Sequence, residues 1–185
     1  SEPEPQPQPQ PRTQARARPR ARAMTDPAPI SPRWDWRRPH HWIAFGLGAG
    51  LSPLAPGTAG TLVAIPLYLV LQALPPLAYL LVLAVMFLVG LWACDKTARE
   101  LGASDPGAIV WDEILGFLVT MALAPPGWIW ILLGFILFRL FDILKPWPIG
   151  ALDRRVKGGL GILLDDLVAG VMAWGLLQLL IALSR

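Results

Sequence analysis

Cysteine is nearly absent: Cys94 is the single one in 185 residues. That excludes an internal disulfide framework and any cysteine-rich metal site, and Cys94 reads as a small buried apolar residue. Four residues separate it from Arg99, one too few for the Cys-x5-Arg loop of cysteine phosphatases. Histidine is almost as scarce. His40 and His41, beside a basic tail, read as residues of a membrane interface rather than as ligands or bases. Charge is missing altogether from Trp42 to Cys94. A soluble core could not hide so long a run, so the chain is expected to be embedded in a membrane. With 54% apolar residues and a mean hydropathy of +0.48, the composition lies above the soluble norm.

The first residues are of the opposite kind. Residues 1–33 alternate Pro with Gln and then Arg with Ala, and half of the 16 basic residues fall within the first 38 positions. Such a segment has nothing to bury, so 1–38 is expected to be a disordered Pro/Arg-rich tail. It lacks the continuous apolar core of a signal peptide. Met24 is an alternative start, and Arg16, Arg18, Arg20 and Arg22 could tether the tail to anionic lipid. Residues 39–185 are expected to form one membrane-embedded domain, all-α, of about four to five short apolar helices.

The apolar stretches are 61–74, 77–94, 114–124, 128–141 and 167–183. Pro75-Pro76 and Pro125-Pro126-Gly127 split the first four into two hairpins, because proline lacks an N–H and clashes with the preceding turn. Neither turn is charged, whereas Lys96, Arg99, Lys145, Arg154, Arg155 and Lys157 lie between the hairpins or before the last helix. The positive-inside rule puts those linkers in the cytoplasm. Stretches of 12–14 residues fall short of the roughly 20 needed to cross a bilayer. Either 114–124 borrows Ile109–Trp111, or some helices are shallow or re-entrant.

Acid is what the second half of the chain does have. Nine acidic residues follow position 90, most of them at the edges of apolar runs. A carboxylate at a bilayer centre costs roughly 2.5–3.5 kcal/mol on insertion scales, so such groups have a partner or a task. Asp112 and Glu113 are adjacent and diverge by about 100° on a helix. Arg139, Asp142 and Lys145 are spaced by three and share a broad helical face, which also suits a structural ion pair. Asp165-Asp166 is expected to open the last helix, where one carboxylate would satisfy capping and the macrodipole and the second exceeds that need. Ala169, Gly170 and Ala173 follow at spacings that permit close helix packing.

The segment Gly46–Thr61 is glycine-dense, with Ser52, Thr58 and Thr61 available to cap a helix start that favours anions such as phosphate. It fits neither a Walker loop nor a dinucleotide fingerprint. Hard oxygen ligands without Cys or His favour Mg²⁺ over zinc, and neighbouring Arg and Lys favour a phosphate-bearing substrate. The residues alone therefore point to Mg²⁺-dependent chemistry on a phosphorylated lipid, or to an ion pathway.

Four ordered motifs sharpen this. Gly50-Leu51-Ser52-Pro53 with Ala55-Pro56-Gly57-Thr58, Ile109-Val110-Trp111-Asp112-Glu113, Phe138-Arg139-Leu140-Phe141-Asp142-Ile143-Leu144-Lys145-Pro146-Trp147-Pro148-Ile149, and Gly158–Gly170 resemble the phosphatidylglycerophosphatase A family over about residues 42–183. The resemblance implies an all-helical enzyme of the bacterial inner membrane, with its active site toward the cytoplasm. It implies Mg²⁺-dependent removal of the terminal phosphate from phosphatidylglycerol phosphate, leaving phosphatidylglycerol. Asp112, Glu113, Asp142, Asp165 and Asp166 would be metal ligands or base. Arg139, Lys145, Arg154, Ser52 and Thr58 would bind the phosphate. The partners expected are the bilayer and a phospholipid, with no nucleic acid.

Two positions depart from the family pattern: Lys157 stands where His is common, and Leu163 or Leu164 where Met is common. The Pro-Ser-Gly-His signature of histidine-based lipid phosphatases is absent, as is the aspartate pattern of phosphatidyl-alcohol transferases. Glu100 and Asp105 read as surface charges; Asp95 and Asp153 stay undecided.

Overall fold

The computed structural model describes residues 34–103 and 106–184, all helix, turn and loop. The helices are α1 (Pro39–Ala44), α2 (Pro56–Leu71), α3 (Pro76–Leu101), α4 (Trp111–Thr120), α5 (Trp128–Leu144), α6 (Ile149–Arg155) and α7 (Gly158–Leu183), with a 3₁₀ segment Gly46–Leu51 after α1. The tail to residue 33, with Met24 and its arginines, lies outside the described residues, as does Asp105.

Two helices, α3 and α7, are long and apolar enough to cross a membrane. Their 26 residues each span about 39 Å, more than the roughly 30 Å of bilayer hydrocarbon. Their outward faces agree with a lipid surrounding: Leu77, Leu81, Val85, Leu88 and Trp92 stand exposed along α3, and Ile129, Leu132, Ile136, Leu140 and Ile143 along α5. Apolar stripes of that extent are not left bare in water. By contrast, α4 has only 10 residues and is buried nearly all round, with Ile114, Leu115, Phe117 and Leu118 inside. At about 15 Å it cannot cross, and being enclosed by protein is what lets a short helix end at membrane depth.

The chain turns at both proline clusters, and α4 packs on α5 through Gly116 against Phe138 and Met121 against Gly134, but α2 and α3 are not a packed pair. Instead α2 lies against α4, while α7 is the hub that α3, α4, α5 and α6 all contact. Small residues decide this. A Cβ on Gly170 of α7 would lie 2.5 Å from the Gly116 carbonyl oxygen of α4. Thr120 Oγ donates to the carbonyls of both glycines, at 3.0 and 3.3 Å. Ala169 and Ala173 are fully buried on the same helix. Small side chains let backbones approach, and dispersion then holds the helices together.

Cross-contacts give the directions. Residues 116 and 120 of α4 meet 170 of α7, and Trp174 Nε1 donates to Ala122 O further along, so α4 and α7 run parallel. Gly159 packs on Asp95 and Leu163 reaches Gly90, so α3 is antiparallel to α7. Consequently α2, α4 and α7 begin, and α3 and α5 end, at one end of the bundle. Every charged linker lies there, and the uncharged proline turns lie at the other.

Within the stretch expected to belong to the tail, Trp34 to Arg38 fold back onto this body. Trp34 packs edge-on to Trp42 (centroids 4.7 Å apart) and stacks on Phe45 at 5.8 Å. Glu100, expected to be a surface charge, anchors the fold-back: its Oε2 accepts from Arg38 Nη1 at 2.7 Å and meets His40 Nε2 at 3.0 Å and His41 Nε2 at 3.1 Å. Both histidines are buried. The Asp35 N–H donates to His41 Nδ1, which leaves the His41 proton on Nε2, facing Glu100. The cluster ties α1 to α3.

Candidate active site

The glycine contact between α4 and α7 sets the site. Asp112 lies one turn before Gly116, and Asp166 one turn before Gly170. Because the two helices run parallel, the contact that joins the glycines also faces the two aspartates across the interface. Here the expectation for Asp165-Asp166 needs correcting. They do not open the last helix, because α7 begins at Gly158. The glycines of Gly158-Gly159-Leu160-Gly161 form its first turn and allow close packing: a Cβ on Gly159 would sit 2.7 Å from the Asp95 backbone nitrogen. Both aspartates are therefore buried inside the bundle, and capping is not their role.

One cleft of about 160 Å³ collects Asp112, Glu113, Asp142, Asp165 and Asp166, with Lys145 at its wall. All five carboxylates singled out from sequence are thus brought together. One oxygen each from Asp112, Glu113 and Asp166 lie within 4.8 Å of one another. Asp112 Oδ1, Glu113 Oε2 and Asp166 Oδ2 are buried and have no hydrogen-bond donor.

Two cations face the five acids. Arg139 Nη1 is 2.6 Å from Asp142 Oδ2 and 3.9 Å from Glu113 Oε1, so the expected i,i+3 pair forms. Lys145 does not continue that row. Its φ of 41° puts the backbone in the left-handed region, a conformation costing about 1–3 kcal/mol for a non-glycine residue. From there its Nζ donates to Asp165 Oδ2 at 2.6 Å and to Asp153 Oδ1 at 2.9 Å. Burial alone would lower the Lys145 ammonium, but the hydrogen bonds it donates to Asp165 and Asp153 outweigh it and hold its pKa above the ordinary range. The hydrogen bond to Lys145 likewise holds the Asp153 carboxyl below its ordinary value.

The cleft is lined by six carboxylates, Asp153 included, against Lys145 and Lys157, and three oxygens there have no donor. Hard, buried and unshared oxygens on three residues fit a small divalent cation bound by oxygen, and buried acids without such a partner are strongly unfavourable.

Other expectations fare differently. Ser52 Oγ donates to Leu54 O, the residue capping α2 is Ala55 with no side-chain bond, and Thr61 Oγ donates back to Gly57 O. Ser52, Thr58 and Arg154 are not among the residues lining the cleft. The glycine-dense segment contributes through Gly57 instead: a Cβ there would collide with Glu113 Oε1 and come within 3.1 Å of Arg139 Nη1. Arg139 itself stands behind Glu113 and Asp142 rather than at the cleft wall.

Residues left undecided by the sequence do take part. Asp153 and Lys157 line the cleft. Asp95 Oδ1 accepts from the Gly159 N–H at 3.2 Å, while its other oxygen pairs with Arg99. Trp111 donates to Met86 O at 3.0 Å, and its Cδ1–Nε1 edge packs on Gly90, fixing the first turn of α4 to α3.

The model of the phosphatidylglycerophosphatase A family matches residues 42–181. The chain belongs to that family. A phosphatidylglycerophosphatase A of Escherichia coli is 47% identical over 140 residues, covering 75% of this chain and 81% of that protein. Its counterpart in Haemophilus influenzae is 43% identical, covering 73% and 84%. A Bacteroides thetaiotaomicron protein, provisionally named a phosphatidylinositol-3-phosphatase, is 38% identical, covering 77% and 91%. No solved structure matches the chain. The phosphatidylglycerophosphatase A match spans all five clustered carboxylates and begins after the Pro/Arg-rich tail.

Proposed function

We propose that this protein is a Mg²⁺-dependent lipid phosphatase that hydrolyses phosphatidylglycerol phosphate to phosphatidylglycerol and inorganic phosphate. The reading places it in phospholipid biosynthesis at the cytoplasmic face of the bacterial inner membrane. The observation that carries it is the trio of unshared oxygens on Asp112, Glu113 and Asp166, beside Lys145 and within a membrane-embedded bundle.

In this reading Asp112, Glu113 and Asp166 hold the cation, with Asp142 and Asp165 completing the acidic wall. Bound there, Mg²⁺ supplies charge for the phosphoryl oxygens and acidifies water. Arg139 pairs with Asp142 at 2.6 Å and stands 3.9 Å from Glu113, which helps to hold both side chains in place. Lys145, held by Asp165 and Asp153, offers its ammonium to the incoming phosphate as a point charge. One carboxylate of the wall takes the proton from the attacking water as general base. The clustering of basic linkers at the same end of the bundle supports this reading, in which the headgroup reaches the cleft while the acyl chains stay in lipid.

A second reading, a phosphatase for another phosphorylated lipid, is favoured by the name of the Bacteroides relative. A non-catalytic ion pathway is less well supported, since the acidic cleft lies at one end of the bundle and, among the described residues, no row of acids continues toward the other. The test is phosphate release by purified protein, with Mg²⁺ or with EDTA, from phosphatidylglycerol phosphate, phosphatidic acid and phosphatidylinositol 3-phosphate. Mg²⁺-dependent release that is fastest from phosphatidylglycerol phosphate is expected. Faster release from either other lipid moves the assignment, and ion flux without any release overturns it.

A further inference from the structure

One ammonium of the cleft takes no part in the proposed chemistry. Lys157 lines the cleft together with Lys145 and Asp153, in the two-residue link between α6 and α7. Its backbone is extended (φ −124°, ψ 168°), and its side chain makes no capping bond to α7. Instead it reaches back toward α6, where Nζ donates to the Asp153 carbonyl oxygen at 2.8 Å. Asp153 thus carries both ammoniums, Lys145 on Oδ1 at 2.9 Å and Lys157 on its main-chain oxygen. The two differ in depth and in charge balance. Lys145 is half-buried and pairs with two carboxylates, those of Asp165 and Asp153. Lys157 is exposed, and a bond to a neutral carbonyl leaves its charge uncancelled. An ammonium has three N–H groups, of which that bond takes one. The inner cation sits among acids and the outer one at the rim.

A substrate with two phosphates fits that order. Phosphatidylglycerol phosphate carries its scissile phosphate monoester at the tip, then a glycerol, then the phosphodiester that leads to the acyl chains. With the tip among the acids and Lys145, the diester lies outward, toward the rim. We propose that Lys157 binds this second, non-reacting phosphate and so selects lipids with a phosphodiester between the scissile group and the diacylglycerol. Phosphatidic acid, whose single phosphate is the scissile one, gains nothing from Lys157. The inference rests on the phosphatase reading and names the part of the substrate which that reading leaves unassigned. Because the diester does not react, a contact to it is equally strong before and in the transition state. Its loss therefore appears in KM and not in kcat.

Steady-state phosphate release by the parent chain, Lys157→Met and Lys157→Arg tests it, with phosphatidylglycerol phosphate and phosphatidic acid in the same detergent micelles. The parent is expected to prefer phosphatidylglycerol phosphate in kcat/KM. Lys157→Met should shrink that preference about tenfold, the worth of one exposed charge-assisted contact, through a higher KM for phosphatidylglycerol phosphate. Lys157→Arg, which keeps the charge, should restore most of it. Two soluble inhibitors, glycerol 1,3-bisphosphate and glycerol phosphate, give the same comparison without turnover of phosphatidic acid. The second phosphate should tighten inhibition of the parent about tenfold and that of Lys157→Met hardly at all. A preference unchanged in Lys157→Met overturns the proposal and leaves the phosphatase reading standing. So does a loss of kcat/KM that is equal for the two lipids, which marks a structural role for Lys157. A parent chain that releases phosphate from neither lipid overturns both.

Discussion

Replacing Gly170 with alanine puts the architecture of the site under direct test. The added methyl would lie 2.5 Å from the Gly116 carbonyl oxygen and 3.1–3.2 Å from its backbone carbons, where ordinary contact begins near 3.4 Å. Every one of those atoms is helical backbone, so none can rotate away, and α4 and α7 must separate by about 1 Å. Asp112 and Asp166 lie one turn along the same interface and must separate with them. A displacement of 1 Å costs on the order of 100-fold in rate where reacting groups are held in place. Overpacking itself costs about 1–3 kcal/mol of stability. The assay is phosphate release from phosphatidylglycerol phosphate, at a temperature where circular dichroism shows the variant folded. Gly175→Ala is the control, since nothing lies within 4 Å of its added methyl; it should retain full turnover. Turnover of Gly170→Ala equal to the parent, with an unchanged melting temperature, would refute the idea that this contact positions the acids.

Further outcomes are expected elsewhere. Glu100→Gln removes the charge that Arg38, His40 and His41 share, so trypsin should cut after Arg37 several-fold faster, with turnover far less affected. Gly159→Ala, whose methyl meets the Asp95 backbone, should lower the melting temperature more than Asp95→Asn, which costs only a side-chain bond. Lys145→Met should raise KM for the phosphorylated lipid by about tenfold or more, the scale of a charge-assisted contact. The Asp153 carboxyl is held below its ordinary value of 3.8 by Lys145, so the ion pair stabilises above that pH and is lost as pH falls below it. The melting-temperature gap between the parent chain and Asp153→Asn should therefore persist at neutral pH and close below about pH 4; a gap independent of pH would count against the pair.

Much of this could be read from the residues. The helical class followed from uncharged apolar runs and proline pairs, and the five acids were conspicuous because lipid penalises them. The pairing of helices was not legible. Hydrophobic periodicity says which segments are helices, but in a membrane the partners are chosen by small residues, and Gly116 and Gly170 reveal their contact only in three dimensions. The same blindness explains Asp165 and Asp166: glycines at 158, 159 and 161 look like a loop until Asp95 and Val156 are seen packed against them. Glu100 looked solvated because its three donors come from a segment about 60 positions earlier. Lys145 left its expected row because a left-handed turn redirects the side chain, which spacing cannot forecast. Ser52 and Thr58 were chosen for their hydroxyls, whereas the segment serves through Gly57, by leaving room for Glu113 and Arg139.

The most direct measurement is Mg²⁺-dependent phosphate release by Asp166→Asn, a substitution that keeps the side-chain volume and removes one buried charge. If Asp166 helps to hold the cation beside Asp112 and Glu113, the variant should fold as the parent does and release no phosphate from phosphatidylglycerol phosphate at any Mg²⁺ concentration. Undiminished turnover in the folded variant would contradict that role and remove Asp166 from the site.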